Sequence, residues 1–178
     1  MRSCVARMAC LVLHAFVLAT ALPSQADAAN HALLVGVTSY DNPKIRALEG
    51  PRNDVIAMRK ALEARGFAPE NMRVLADDIV GAATPTRANI IKGLEELATK
   101  ARKGDFLVFH YSGHGTTQPE TGPGDEPEPG GRDQVLLPKD TGNYDPAKSS
   151  ITNAIVDNEL GRLLDRIRAT GATIWVVI

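Results

Sequence analysis

The sequence predicts an α/β protein, a three-layer α/β/α sandwich on a mainly parallel sheet. Three observations carry this. Four short runs, "ALLVGV" (32–37), "MRVL" (72–75), "FLVFHY" (106–111) and "TIWVVI" (173–178), are rich in β-formers and nearly continuous in apolar character. Continuous rather than alternating hydrophobicity marks strands covered on both faces. Segments with apolar residues at helical spacing separate the runs, giving the order β-α-β-α-β-(long insertion)-α-β, which folds as crossover units on one sheet.

Each element has its own signals. After the first strand, Val55, Met58 and Leu62 repeat at helical spacing behind Asn53 or Asp54 as the expected cap, and Gly66 stops the helix. The second helix follows Thr86, with Ile90, Leu94, Leu97 and Ala101 on one face. Beyond the third strand, residues 116–133 form a Gly/Pro/acid-rich stretch expected to be a long loop, of a kind usually functional or disordered. The third helix follows Asp157, with Leu160, Leu163, Leu164 and Ile167 inward and Gly171 at its end. "TIWVVI" reads as a fully buried strand at which the chain stops, so the sequence reads as cut short. An unpaired terminal strand is expected to leave these residues poorly stable.

The ends and the composition narrow the class. The 178 residues suit one domain. Arg2 and Arg7 head an apolar stretch (8–22), followed by Pro23 and by small residues at Ala26 and Ala28. This is the pattern of a signal peptide cleaved near Ala28. A membrane anchor is the alternative, but the run falls short of the ~20 residues a span needs. The expected organisation is therefore a signal at 1–28 and a domain at 29–178, exported to the periplasm or out of the cell, with no membrane span after cleavage. Cys4 and Cys10 would leave with the signal, so the remainder has no disulfide scaffold, thiolate metal site or cysteine nucleophile of its own. The net charge of −1 gives no electrostatic footprint for nucleic acid or an anionic membrane. The sequence sets no oligomeric state.

The chemistry centres on "FHYSGHGTT" (109–117), at the carboxyl end of the third strand. Sites in such sheets collect in the loops at this end. Glycines on both sides of His114 free the backbone and admit a substrate closely, and they leave the Gly115 N–H available as an oxyanion donor. Imidazole, with an ordinary pKa of ~6.5, moves protons at neutral pH. The alternative is a turn histidine that hydrogen-bonds locally. His110, within the strand, reads as a satisfied core histidine. Zinc is disfavoured, because His110 and His114 do not share a helix and no glutamate completes H-E-x-x-H. Ser112 lacks the Gly-x-Ser-x-Gly elbow, and no phosphate-binding glycine loop is present.

In order, "HALLVGVTSYDN", "LEGPRNDV", "FLVFHYSGHGTTQ", "GDEPEPGGRDQVLLPKD" and "ITNAIVDNEL" resemble caspase-like cysteine peptidases, the metacaspase branch and its bacterial relatives above all. The resemblance covers about residues 31–178. It implies a caspase-like fold and an endopeptidase acting on peptides or proteins after basic residues. Its catalytic histidine would be His114, with Gly115 lending a backbone N–H to the oxyanion hole. The family's nucleophile lies in Asp-x-Cys-His-Ser after a strand like "IWVVI". It would therefore fall a few residues beyond Ile178, and residues 1–178 alone are expected to be inactive. Asp54 matches an acid of the pocket for a basic P1 side chain, although an aspartate at a helix start is also a common cap. Asp133 and Asp157 match acids that bind calcium in some metacaspases, with Asn158 replacing an aspartate there. No cofactor is required, and calcium is the one candidate. A caspase-fold module that binds peptides or partners without cleaving them is the competing expectation.

Overall fold

The computed structural model describes residues 28–120 and 130–178. The expected signal segment and the middle of the acidic stretch lie outside the described residues. The elements are β1 (Asn30–Gly36), α1 (Pro51–Glu63), a short 3-10 turn (Pro69–Asn71), β2 (Met72–Ala76), α2 (Arg87–Lys100), β3 (Phe106–Ser112), β4 (Gly115–Pro119) and β5 (Arg132–Leu136). They continue with β6 (Tyr144–Asp145), β7 (Ser150–Ile151), β8 (Ile155–Val156), α3 (Asp157–Arg168) and β9 (Thr173–Val177).

The main sheet has the order β2-β1-β3-β9 and is parallel throughout. Its two faces bury different side chains, as strand geometry requires. Leu33, Val35, Leu107, Phe109 and Tyr111 point to one face, where Ile90, Leu94 and Leu97 of α2 and Leu160, Leu163, Leu164 and Ile167 of α3 pack. Ala32, Leu34 and Val108 point to the other, against Val55 and Leu62 of α1 and Phe67. This is the three-layer sandwich the sequence predicts. A second, antiparallel sheet, β4-β5-β8, stands at the carboxyl end of the first.

Three expectations are corrected. α1 begins at Pro51, with Gly50 in the cap position and no side-chain cap; proline suits a first helical turn because its missing N–H would have no partner there. Asp54 is thus inside the first turn, and neither it nor Asn53 caps the helix. The 116–133 stretch is a loop only in part, since its arms are the strands β4 and β5, paired from Gly115–Leu136 to Pro119–Arg132. β9 is not fully buried. Among the described residues it is an edge strand bonded to β3, with Trp175 57% exposed on the face where α1 covers β1 to β3 but not β9.

One close approach sets the position of α1. A Cβ on Gly36 would lie 2.9 Å from the Pro51 carbonyl oxygen and 2.9 Å from Val55 Cγ2. The helix start therefore rests on the last residue of β1, which brings the first turn of α1 to the carboxyl edge of the sheet. Among the described residues no helix is long and apolar enough to cross a membrane.

Candidate active site

Four segments meet at that edge: the 37–48 loop after β1, the start of α1, the Gly113–His114 turn after β3, and the 137–140 turn after β5. His114 is held from two sides by the first of these. Its backbone N–H donates to the Tyr40 hydroxyl at 2.8 Å, and the Tyr40 ring packs at 5.3 Å from the imidazole, tilted by 36°. Its Nε2 lies 2.9 Å from the Arg46 carbonyl oxygen. A carbonyl only accepts, so Nε2 carries the proton and, in the neutral ring, Nδ1 presents a lone pair. This is a partly exposed imidazole with a fixed tautomer, which suits a base better than a turn decoration.

The turn beneath it is fixed by Tyr111, which is 2% exposed. Its hydroxyl donates to the Leu137 carbonyl at 2.7 Å and lies 3.2 Å from the His114 carbonyl, which also accepts from Leu137 N–H at 3.0 Å. Burial pushes the phenol pKa of both Tyr40 and Tyr111 upward, a trend the His114 N–H only partly opposes at Tyr40. Both hydroxyls therefore remain protonated at neutral pH. Gly113 is required by contact, since a Cβ there would lie 2.8 Å from Tyr111 Oη.

Gly115 opens β4 opposite Leu136. Backbone bonds join His114 to Leu137 and Glu120 to Gly131 on the same pair of chains. Bonded and non-bonded positions alternate in an antiparallel ladder, so Gly115 occupies a non-bonded one and its N–H points away from β5. A donor turned out of its sheet beside the imidazole is what an oxyanion requires. A cleft of about 410 Å³ opens at Gly115, between β5 and α3, with Thr117, Leu136, Ile155 and Asp157 on its walls.

Asp54 is exposed on the first turn of α1 and accepts from the Ser112 hydroxyl at 2.7 Å. It shares the edge of β3 with His114. Beneath it, His110 is 6% exposed, and its Nδ1 has no hydrogen-bond partner among the described residues. His110 is thus a core histidine, as expected, but is not satisfied at Nδ1. Burial lowers its pKa, and the Asp54 carboxylate opposes the shift.

Asp133 and Asp157 lie on adjoining segments away from the imidazole. Asp133 is fully buried in β5. Asp157 opens α3 and accepts from Gln134 N–H at 3.3 Å and Asn158 N–H at 2.9 Å. Both offer oxygen, the donor type calcium takes. No third His, Cys, Asp or Glu joins them among the described residues.

Tyr40, the Arg46 carbonyl and the Ser112–Asp54 bond were not legible as site features. Tyr40 belongs to the "HALLVGVTSYDN" stretch, but nothing local says that its hydroxyl meets a backbone 74 residues away.

Metacaspase-4 of Arabidopsis thaliana is 38% identical over 138 residues, covering 76% of this chain and 29% of that protein. Metacaspase-1 of Candida albicans is 42% identical over 113 residues, covering 61% of this chain and 25% of that protein. The chain thus spans about a third or less of these relatives. Among solved structures, protein GSU0716 from Geobacter sulfurreducens superposes with a TM-score of 0.62 at 27% identity, over 83% of this chain and 48% of that one. Residues 30–178 match the family described as metacaspase, peptidase C14 domain. The chain accordingly belongs to the metacaspase family of caspase-like cysteine peptidases.

Proposed function

We propose that this chain carries the histidine side of an endopeptidase site, in an exported protein that cleaves peptides after arginine or lysine. The observation that carries the reading is the imidazole of His114, anchored through Nε2–H on the Arg46 carbonyl with Nδ1 left to react. His110 pairs with Val177 across β3 and β9. A segment continuing from β9 would therefore run beside Ser112 toward His114, which brings a cysteine a few residues after Ile178 to the same sheet edge as the imidazole.

The chemistry follows from these positions. Nδ1 takes the thiol proton, and the thiolate attacks the scissile carbonyl carbon. The C=O electron pair moves to oxygen, where the Gly115 N–H donates, a contact worth ~3 kcal/mol. The C–N bond then breaks, and the imidazolium gives its proton to the leaving amine. Water, deprotonated by the same ring, releases the acid and restores the thiol. Asp54 meets the cationic side chain preceding the cleaved bond, a charge-assisted pair worth ~1.5–3 kcal/mol. Asp133 and Asp157 would contribute carboxylate oxygens to an accessory calcium ion.

The full-length protein should be assayed with Arg- and Lys-terminated peptide reporters, with calcium and with chelator. His114→Ala should lower kcat by ~100-fold or more. Asp54→Asn should lower kcat/KM on these reporters by ~10-fold or more, in line with a lost charge-assisted bond. Turnover unchanged by His114→Ala would refute the reading. So would a downstream sequence without a cysteine, which would favour a non-cleaving binding module.

A further inference from the structure

The groups that meet the His114 ring nitrogen and backbone N–H both come from one segment, the 37–48 loop, and that loop is fastened at its root by ionic groups from elsewhere. Asp77, directly after β2, accepts from Thr38 N–H at 2.9 Å, Ser39 N–H at 2.7 Å and the Ser39 hydroxyl at 2.6 Å. Lys139, in the 137–140 turn, donates to the Ser39 hydroxyl at 2.7 Å and the Ser39 carbonyl at 3.4 Å. Its Nζ lies 3.5 Å from the Asp77 carboxylate, whose side chain is 7% exposed, and 3.7 Å from that of Asp41. Backbone bonds close the set, from Asp41 N–H to the Lys139 carbonyl and from Leu48 N–H to the Thr38 carbonyl. Tyr40 therefore sits between two neighbours that are both fixed.

We propose that Asp77 and Lys139 are positioning residues for proton transfer, setting the place of Tyr40 and the Arg46 carbonyl and through them the tautomer and orientation of the His114 ring. The inference rests on the reading of His114 as the acid–base group. Burial of Asp77 raises its carboxyl pKa, but the Ser39 hydroxyl and the Thr38 and Ser39 N–H groups outweigh burial and hold it below the ordinary value. The clamp is thus an ionised carboxylate beside an ammonium, with a serine hydroxyl that donates to one and accepts from the other. Such a partly buried pair contributes little net stability when its desolvation is counted. Its value lies in geometry. A ring that slips off the Arg46 carbonyl is free to turn and to move its proton to Nδ1, where it can no longer take one from a thiol. Displacements of ~1 Å at reacting groups cost up to ~100-fold in rate.

The test uses the full-length protein labelled with ¹⁵N-histidine, in the parent and in Lys139→Met, Lys139→Arg, Ser39→Ala and Asp77→Asn. In the parent, the neutral His114 ring should give the nitrogen shifts of a single Nε2–H tautomer. Lys139→Met should give averaged shifts for that ring, with kcat on an arginine-terminated reporter lower by ~10- to 100-fold and KM within ~2-fold, the pattern of lost positioning. Lys139→Arg, which keeps the charge, should recover part of both. Should Asp77→Asn fail to fold, the Lys139 and Ser39 variants decide, because they leave the carboxylate in place. A folded Lys139→Met protein with the parental tautomer and kcat overturns the proposal. Equal turnover by the parent and His114→Ala would instead sink the peptidase reading, and the ring shifts would still judge the clamp.

Discussion

Replacing Gly113 by alanine inserts a methyl group where the Tyr111 side chain already lies. The new Cβ would stand 2.8 Å from Oη, 3.0 Å from Cζ and 3.1 Å from Cε1. Tyr111 has little room to withdraw, being 2% exposed in the core and tied to the Leu137 carbonyl at 2.7 Å. Overpacking of this kind costs about 1–3 kcal/mol, and loosening the buried hydroxyl bond adds about 1 kcal/mol. Together they predict a loss of about 2–4 kcal/mol, equivalent at ~2–4 °C per kcal/mol to a drop in Tm on the order of 10 °C. Denaturant unfolding followed by far-UV circular dichroism measures it. Tyr111→Phe in the same chain removes the closest contact and leaves the one at 3.0 Å, so the double variant should recover part of the loss, with a coupling of about 0.5–2 kcal/mol. Gly161→Ala is the matched control. It lies within α3 with nothing inside 4 Å of the added methyl, and should stabilise by about 0.5–1 kcal/mol. Gly113→Ala unfolding within ~0.5 kcal/mol of the parent, the usual spread of neutral surface changes, would refute the contact reasoning.

Two further outcomes follow from charged groups. His110 is neutral in the fold at a pH where the unfolded chain would protonate it, because burial lowers its pKa against the opposing pull of Asp54. Between that lowered value and ~6.5 the unfolded chain binds the extra proton, so stability rises with pH and is lost as pH falls below ~6.5. The difference between unfolding midpoints at pH 7.5 and 5.5 should shrink in His110→Gln, and an unchanged difference would exclude the residue as a source. Arg87 at the start of α2 meets both carboxylate oxygens of Glu159 in α3 at 2.6 Å, with both side chains about a third exposed. Arg87→Met should cost ~1 kcal/mol, the top of the exposed-pair range, and the loss should shrink in 1 M salt.

The fold was largely legible because its signals are local. Continuous apolar runs located the four parallel strands, and Thr86 and Gly171 marked helix ends, Thr86 as a cap and Gly171 with a φ of +84°. Misread elements were those decided by neighbours. Asn53 and Asp54 looked like caps, yet Pro51 carried the stronger start signal. The arms of the acidic stretch are strands because each supplies the ladder the other needs, and neither is apolar enough to announce itself. Trp175 looked buried by composition, while its exposure depends on how far α1 reaches. For the candidate site, His114 and Gly115 were singled out by residue type and flanks and Asp54 by the family resemblance, and the structure places all three at one sheet edge. Tyr40 and Arg46 were not, because a hydroxyl and a main-chain carbonyl acquire their roles only through the partner they meet.

The ring Nε2 and the backbone N–H of His114 take their partners from 68 and 74 residues earlier in the chain. Closing a separation of that length is a late and entropically costly event compared with forming a helical turn. A newly made or partly opened chain, with β1 and β3 not yet side by side, thus has a histidine with no set orientation. On the proposed function, hydrolytic capacity would be switched on by the same closure that hides the apolar sheet, and an immature or damaged molecule would cleave poorly as well as stick.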